Sequence, residues 1–206
     1  MKRWEKFEKF LTTGDWHVHT NYVEGENSVL EMCTQAEKNG LQLIAFTEHV
    51  RKELDYDFNN LVKEIEEARK KFPNLKILTG CEAKILVNGD IDVSKDVLKL
   101  CDVVIAGFHG FYYSKEEHMQ ALEKTLKNPN VDIWGHPATM FRNCELERKE
   151  MEDIIKLCIR NSVLIEKNIR PKYEPPPGFL ELVEKTGAKT VIGSDAHSAW
   201  ELRKII

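Results

Sequence analysis

Along the chain, short runs of β-branched and apolar residues alternate with longer stretches in which apolar positions recur every three or four residues among charges. The first kind suits buried strands and the second suits amphipathic helices. Seven runs read as strands, at roughly 15–20, 42–48, 76–82, 103–108, 131–135, 162–167 and 190–194. The helical pattern falls at 28–39, 57–72, 93–100, 115–127, 147–160 and 178–187, with a short last segment at 198–205. Ser28 and Asp57 stand where N-caps belong, and Gly40 and Gly187 where helices should stop. Near the N-terminus Trp4, Phe7, Phe10 and Leu11 fall at helical spacing, as in a short helix docked on the body of the protein.

Repeated β-then-α units predict parallel strands joined by right-handed crossovers. No linker, repeat or low-complexity stretch interrupts them, so residues 1–206 are expected to form a single domain. Either an open doubly wound sheet or a closed barrel satisfies this order. An open sheet gathers its ligands at a switch point between two or three strands. Here residues of metal-ligand type end strands one, two, three, four, five and seven, which suits a barrel whose strand ends all face one mouth. The expectation is an α/β fold, a seven-stranded β/α barrel with a metal site at its C-terminal mouth.

Composition narrows the function classes. With 42% hydrophobic residues over 206 positions the chain can bury a full core. Thirty Lys and Arg against 34 Asp and Glu leave a net charge of -4, which lacks the basic footprint of a nucleic-acid duplex binder. Cys33, Cys81, Cys101, Cys144 and Cys158 form an odd set without CxxC spacing, which points to a reducing, cytoplasmic setting and away from disulfides or a zinc knuckle. Lys2, Glu5, Lys6, Glu8 and Lys9 break up the first segment, so neither a signal peptide nor a membrane span is expected. Oligomeric state is open at this level.

The chemistry lies in the strand-end residues. Side chains alternate along a strand, so His17 and His19 share a face, with Asp15 on it as well. Asp195 and His197 repeat that spacing after the last strand, where Gly193 and Ser194 permit a tight approach. Glu82 ends a run of apolar or small residues, and a carboxylate buried there needs a cation or donors. His109 and His136 lie in apolar surroundings that favour the neutral, metal-binding imidazole. Imidazole with carboxylate suits zinc, manganese or iron better than calcium or magnesium. His118, in Lys115-Glu116-Glu117-His118, reads as a solvated surface residue. Asp102 and Asp132 stand at the opening ends of strands and read as structural groups, whereas Glu166 is close enough to the mouth to support the ligands.

In order, the motifs are DxHxHT at 15–20, TEH at 47–49, GxE at 80–82, His109, GHP at 135–137 and GSDAH at 193–197. This series resembles the PHP (polymerase and histidinol phosphatase) superfamily. The resemblance implies a distorted seven-stranded (β/α)7 barrel that hydrolyses phosphate esters with two or three divalent ions (Zn, Mn or Fe) and a water activated on them. By motif position His17, His19, Glu82 and Asp195 would hold one ion. Glu82, His109 and His136 would hold a second, with Glu82 bridging, and His49 and His197 a third. Trinuclear members carry a further histidine in the loop after HxHT, whereas this loop is Asn21-Tyr22-Val23-Glu24-Gly25-Glu26-Asn27, in which Glu24 offers an oxygen instead. Residues 164–173 are similar to a region of histidinol-phosphate phosphatases in which the arginine at the position of Arg170 contacts the substrate phosphate. Arg51 or Lys167 would assist it, while Asp195 or His197 would assist proton transfer.

The implied function is a metal-dependent phosphoesterase acting on a small phosphorylated metabolite or nucleotide. Two alternatives stand beside it. An amidohydrolase-like hydrolase also carries HxH on its first strand, and a PHP-type module can bind metal without catalysis.

Overall fold

In the computed structural model, which describes residues 1–110, 114–142 and 144–205, seven strands form one sheet in chain order. They are β1 (Gly14–Val18), β2 (Leu43–Val50), β3 (Lys76–Lys84), β4 (Val103–Gly107), β5 (Ile133–Trp134), β6 (Leu164–Asn168) and β7 (Thr190–Gly193), each parallel to the next. The sheet curls until its ends meet. Val18 and Ala196 form a parallel bridge, His19 donates its N–H to Ala196 O at 2.9 Å, and Asp195 donates to His17 O at 2.8 Å. The result is a nearly closed, distorted (β/α)7 barrel, as expected from the ligand-type residues at the strand ends and the family resemblance.

Helices α1 (Val29–Lys38), α2 (Phe58–Lys71), α3 (Lys95–Leu100), α4 (Lys115–Leu126), α5 (Ala138–Phe141), α6 (Arg148–Arg160) and α7 (Pro177–Thr186) fill the crossovers. Ser28 and Asp57 do cap α1 and α2, Ser28 in a reciprocal capping box with Glu31. Gly40 and Gly187 take positive φ of 75° and 70° at the predicted stops. Three expectations shift. The last helix shrinks to a 3-10 turn, Ala199–Glu201; the N-terminal helix is 3-10, Arg3–Phe10; and α5 follows β5 unannounced, too short to show a period. No helix among the described residues is long and apolar enough to cross a membrane.

Alternation along the strands divides the barrel interior into two layers. Leu43 and Ala45 of β2, Leu78 of β3, Val103 and Ile105 of β4, and Ile133, Leu164 and Val191 form an apolar floor with Trp16. The next inward positions toward the C-terminal ends carry the polar residues. Outward-facing Ile44, Phe46, Ile77, Val104 and Ile165 pack in the cluster that also holds the inner faces of the helices. Trp4 closes the floor from below, buried with its indole N–H donating to Ser162 O at 2.8 Å. Arg3 N donates to Asp132 Oδ1 at 2.9 Å, so the structural role read for Asp132 is to tie this 3-10 helix to the barrel. Asp102 likewise accepts from Thr79 N at 3.1 Å and pairs with Arg69 at 2.7 Å.

Truncating Trp4→Ala removes a fully packed aromatic and its hydrogen bond. The expected cost is about 3–5 kcal/mol of unfolding free energy, measured by urea denaturation.

Candidate metal centre

Trp16 and His17, adjacent in sequence, both face the barrel interior, because the register of β1 on β2 slips between Asp15 and Val18. Such a bulge re-aims the end of a strand. It also separates Asp15 from the histidine pair. Asp15 accepts from Ser194 N at 2.9 Å and Arg203 N at 3.2 Å, so it braces the β7 end and the C-terminal segment rather than joining the site. Two glycines clear space for the bulky polar layer. A Cβ at Gly193 would collide with Glu166 Oε1 and His17, and one at Gly107 with the His136 ring.

At the centre lies Glu82, 1% exposed on β3. Its Oε1 is 2.6 Å from His136 Nε2 and 2.9 Å from His109 Nε2. Oε2 lies 2.9 Å from His49 Nδ1, 3.2 Å from His17 Nε2 and 3.5 Å from His19 Nε2. Five imidazoles from four strand ends therefore surround one carboxylate. Asp195 Oδ1 adds a second acid, 3.3 Å from His19 Nε2 and 4.0 Å from His17 Nε2. Donor atoms close enough to share an ion form three groups, His17 with His19 and Asp195, His49 with Glu82 and His109, and His19 with His49 and His197.

The electrostatics of the cluster favour bound positive charge. Burial works to neutralise Glu82, yet His109 and His17 hold its carboxyl well below the usual range. Asp195 is lowered likewise against burial, chiefly by His17 and His19. Burial opposes the His17 imidazolium, but Glu166, Glu82 and Asp195 outweigh it and keep the ring's pKa well above normal. Burial dominates at His19, helped by the neighbouring His17, and its pKa falls to about 3. Two buried carboxylates draw positive charge, which the His17 proton supplies here and which a divalent cation bound in its place would supply as well. Geometry agrees. His49 Nδ1 and Glu82 Oε2 are both buried and close, yet neither makes a hydrogen bond, so each keeps a lone pair or proton position unmatched.

Other groups hold the candidate ligands in place. Glu166 Oε1 is 2.7 Å from His17 Nδ1, and its Oε2 accepts the backbone N–H of His136. This is the carboxylate–imidazole support read for Glu166 from its position on β6. Asn168 Nδ2 spans Glu166 and Asp195 at 3.4 and 3.5 Å. His136 and Asp195 both adopt positive φ, 30° and 53°, a strained backbone that surrounding contacts must enforce. Above them, Arg170 Nη1 donates to Asp195 O at 3.2 Å and faces His197 Nδ1 at 2.9 Å. Glu24 Oε2 lies 3.6 Å from His49 Nε2 and 3.7 Å from His197 Nε2, across the third group.

All eight expected ligand residues converge on this mouth, though the grouping differs for His136, whose Nε2 is engaged directly by Glu82. Besides Asp15, two expectations are corrected. His118 is buried, its Nδ1 3.0 Å from Ser114 O and its ring edge-on to Phe108 at 4.9 Å, because it sits a third of a turn round from the solvated Glu117. Lys167 points outward on β6, its Nζ 3.4 Å from Glu184, and so cannot help Arg170. Arg51 does line the mouth, beside Asp92 at 3.8 Å. A cavity of about 650 Å³ opens there, walled also by Tyr22, Tyr56, Lys172 and Tyr173. Tyr173 stacks on His136 at 5.1 Å, a role that no motif in the sequence marks.

Residues 15–169 match the family model for the PHP domain. The chain belongs to the PHP family. Among PHP relatives, a probable phosphatase of Caldanaerobacter subterraneus subsp. tengcongensis is 32% identical over 204 residues, covering 91% of this chain and 77% of that protein. DNA polymerase/3'-5' exonuclease PolX of Bacillus subtilis is 32% identical over 196 residues, 90% of this chain, but the chain spans only 34% of PolX. The histidinol phosphate phosphatase of Lactococcus lactis subsp. lactis, solved with zinc, L-histidinol and phosphate, superposes with a TM-score of 0.71. At 21% identity over 91% of this chain and 87% of that one, it shows a shared fold. The family-model match ends at residue 169, so it does not itself include Arg170, Asp195 or His197, which the barrel geometry brings to the mouth.

Replacing Glu166→Ala leaves His17 Nδ1 and the His136 amide without their acceptor. Affinity for divalent metal is expected to fall about 10- to 100-fold, read by competition with a chromogenic chelator.

Proposed function

We propose that this chain is a metal-dependent phosphatase that hydrolyses a small phosphorylated metabolite or nucleotide, with residues 1–206 acting as one PHP-type barrel domain. The observation that carries the reading is the buried Glu82 carboxylate within 3.5 Å of five imidazoles at the floor of an open cavity. His17, His19, Glu82 and Asp195 would hold one ion, and Glu82, His109 and His136 a second. His49, His197 and Glu24 would complete a third site. The nitrogen and oxygen donors suit zinc, manganese or iron. Bound there, such ions lower the pKa of water and neutralise charge on the phosphoryl oxygens.

The chain's own residues supply the rest. Arg170 presents a planar fork of donors at the rim, suited to a phosphoryl group. Proton transfer falls to Asp195 or His197: Asp195 stays a carboxylate that can orient water, and the largely buried His197 can carry a proton to the leaving oxygen. Tyr173 covers His136 and limits water on that side. The bridging position is a glutamate rather than a lysine, which disfavours the amidohydrolase-like alternative, and the complete ligand set beneath a cavity disfavours a non-catalytic module. The five cysteines are all free and buried, in keeping with a reducing, cytoplasmic setting.

Hydrolysis of 4-nitrophenyl phosphate is expected to disappear on chelation and to return with added manganese or zinc. Glu82→Ala should abolish both metal retention and activity, and phosphatase activity surviving in chelated Glu82→Ala protein would refute the proposal. Arg170→Ala removes charge-assisted hydrogen bonds to phosphate and should lower kcat/KM about 10- to 100-fold, mostly through KM.

A further inference from the structure

The loop after β7 ends in the 3-10 turn Ala199–Glu201, and its glutamate makes contacts that a helix cap does not require. Glu201 Oε2 accepts the backbone N–H groups of His197 at 2.7 Å and Ser198 at 3.2 Å, completing a capping box with Ser198. Capping uses that one oxygen. The other, Oε1, lies 3.8 Å from Nη2 of Arg170. One carboxylate thus holds both the backbone that carries His197 and the arginine that faces the His197 ring.

The guanidinium is pulled from two sides. Its Nη1 lies 3.7 Å from Asp195 Oδ1, an acid that also belongs to the candidate metal centre. An arginine drawn fully onto Asp195 would compete with any cation there and would turn its donors away from the cavity. Glu201 lies against the far edge of the fork and its charge opposes that pull. The pair also crosses a seam, because Arg170 follows β6 and Glu201 follows β7. Glu201 lies outside the stretch of residues 15–169 that matches the family, and it does not line the cavity, so it is not a group that touches substrate.

We propose that Glu201 is a positioning residue for Arg170, anchoring the outer edge of the guanidinium so that its inner donors stay over the mouth. This rests on the reading of Arg170 as the phosphate-binding group. Part of the work is electrostatic, and the Arg170–Glu201 pair is partly exposed, 26% and 24%, so the expected effect is moderate.

Glutamine keeps an oxygen for the cap but loses the charge, so Glu201→Gln separates the two roles. Stability by thermal unfolding should match wild type to within about 2 °C. Inorganic phosphate should bind about two- to fivefold more weakly, both as a competitive inhibitor of 4-nitrophenyl phosphate hydrolysis and by direct calorimetry. KM should rise in parallel while kcat stays nearly constant, and Glu201→Gln should add nothing to the defect of Arg170→Ala. If Arg170→Ala weakens phosphate binding and Glu201→Gln does not, Glu201 is a cap alone and the inference fails while the reading of Arg170 stands. A Glu201→Gln protein that loses stability without a selective loss of phosphate affinity overturns it equally. If Arg170→Ala leaves phosphate affinity unchanged, the reading of Arg170 and the inference built on it fall together.

Discussion

A carboxylate buried at the end of β3 sets the terms for the upper half of this barrel. Glu82 is almost fully buried at the base of the open cavity, and an uncompensated charge in that position costs several kcal/mol after relaxation. Five imidazoles answer it, from four strand ends. His17 and His19 come from β1 and its exit, His49 from β2, His109 from the exit of β4 and His136 from the exit of β5. Two of these rings come from one strand end, so four neighbouring elements must present their C-terminal ends to a single point. A curled parallel sheet does this as a matter of geometry, because all its strands run the same way and all its C-terminal ends open on one side.

Bringing the ends together is not enough, since rings of this size must also fit. The apolar floor holds the strands at their spacing from below, with Trp4 and Trp16 filling the base. Gly107 and Gly193 then leave out the side chains that would occupy the space of His136 and of the His17–Glu166 pair. The slip in register on β1 turns His17 inward beside Trp16, giving the barrel one apolar and one polar inward residue in succession. Each device trades regular strand structure for room or direction at the mouth, and each is placed on a rigid element, which favours an accurately held site.

The barrel closes where the support for the candidate ligands is densest. Between β6, β7 and β1, Glu166 holds His17 and the His136 amide, Asn168 links Glu166 to Asp195, and the Asp195 and His19 amides make the bonds that join the sheet ends. Arg170 and Glu201 extend this network to the rim. Closure of the fold and orientation of the site are therefore one set of interactions at this seam, and loss of either would be felt by the other.

Much of this was legible in the chain itself. Hydrophobic period located all seven strands and six of the seven helices, since burial of one face imposes a period that local sequence must carry. The caps at Ser28 and Asp57 and the stops at Gly40 and Gly187 were readable for the same reason, as each depends on backbone chemistry within one turn. Residue type at strand ends marked the eight ligand candidates, and their order carried the family resemblance. Tertiary structure alone decided the rest. Asp15 left the histidine face because a bulge depends on the pairing of two strands, not on either one. His118 became buried because the side of α4 that meets β4 is set by docking, and Lys167 turned outward with the inward register of Glu166 and Asn168. Which nitrogen meets which oxygen at Glu82, and the reach of Glu201 to Arg170 across two loops, depend on distances between residues far apart in the chain. Local sequence encodes period and chemistry; only packing sets those distances.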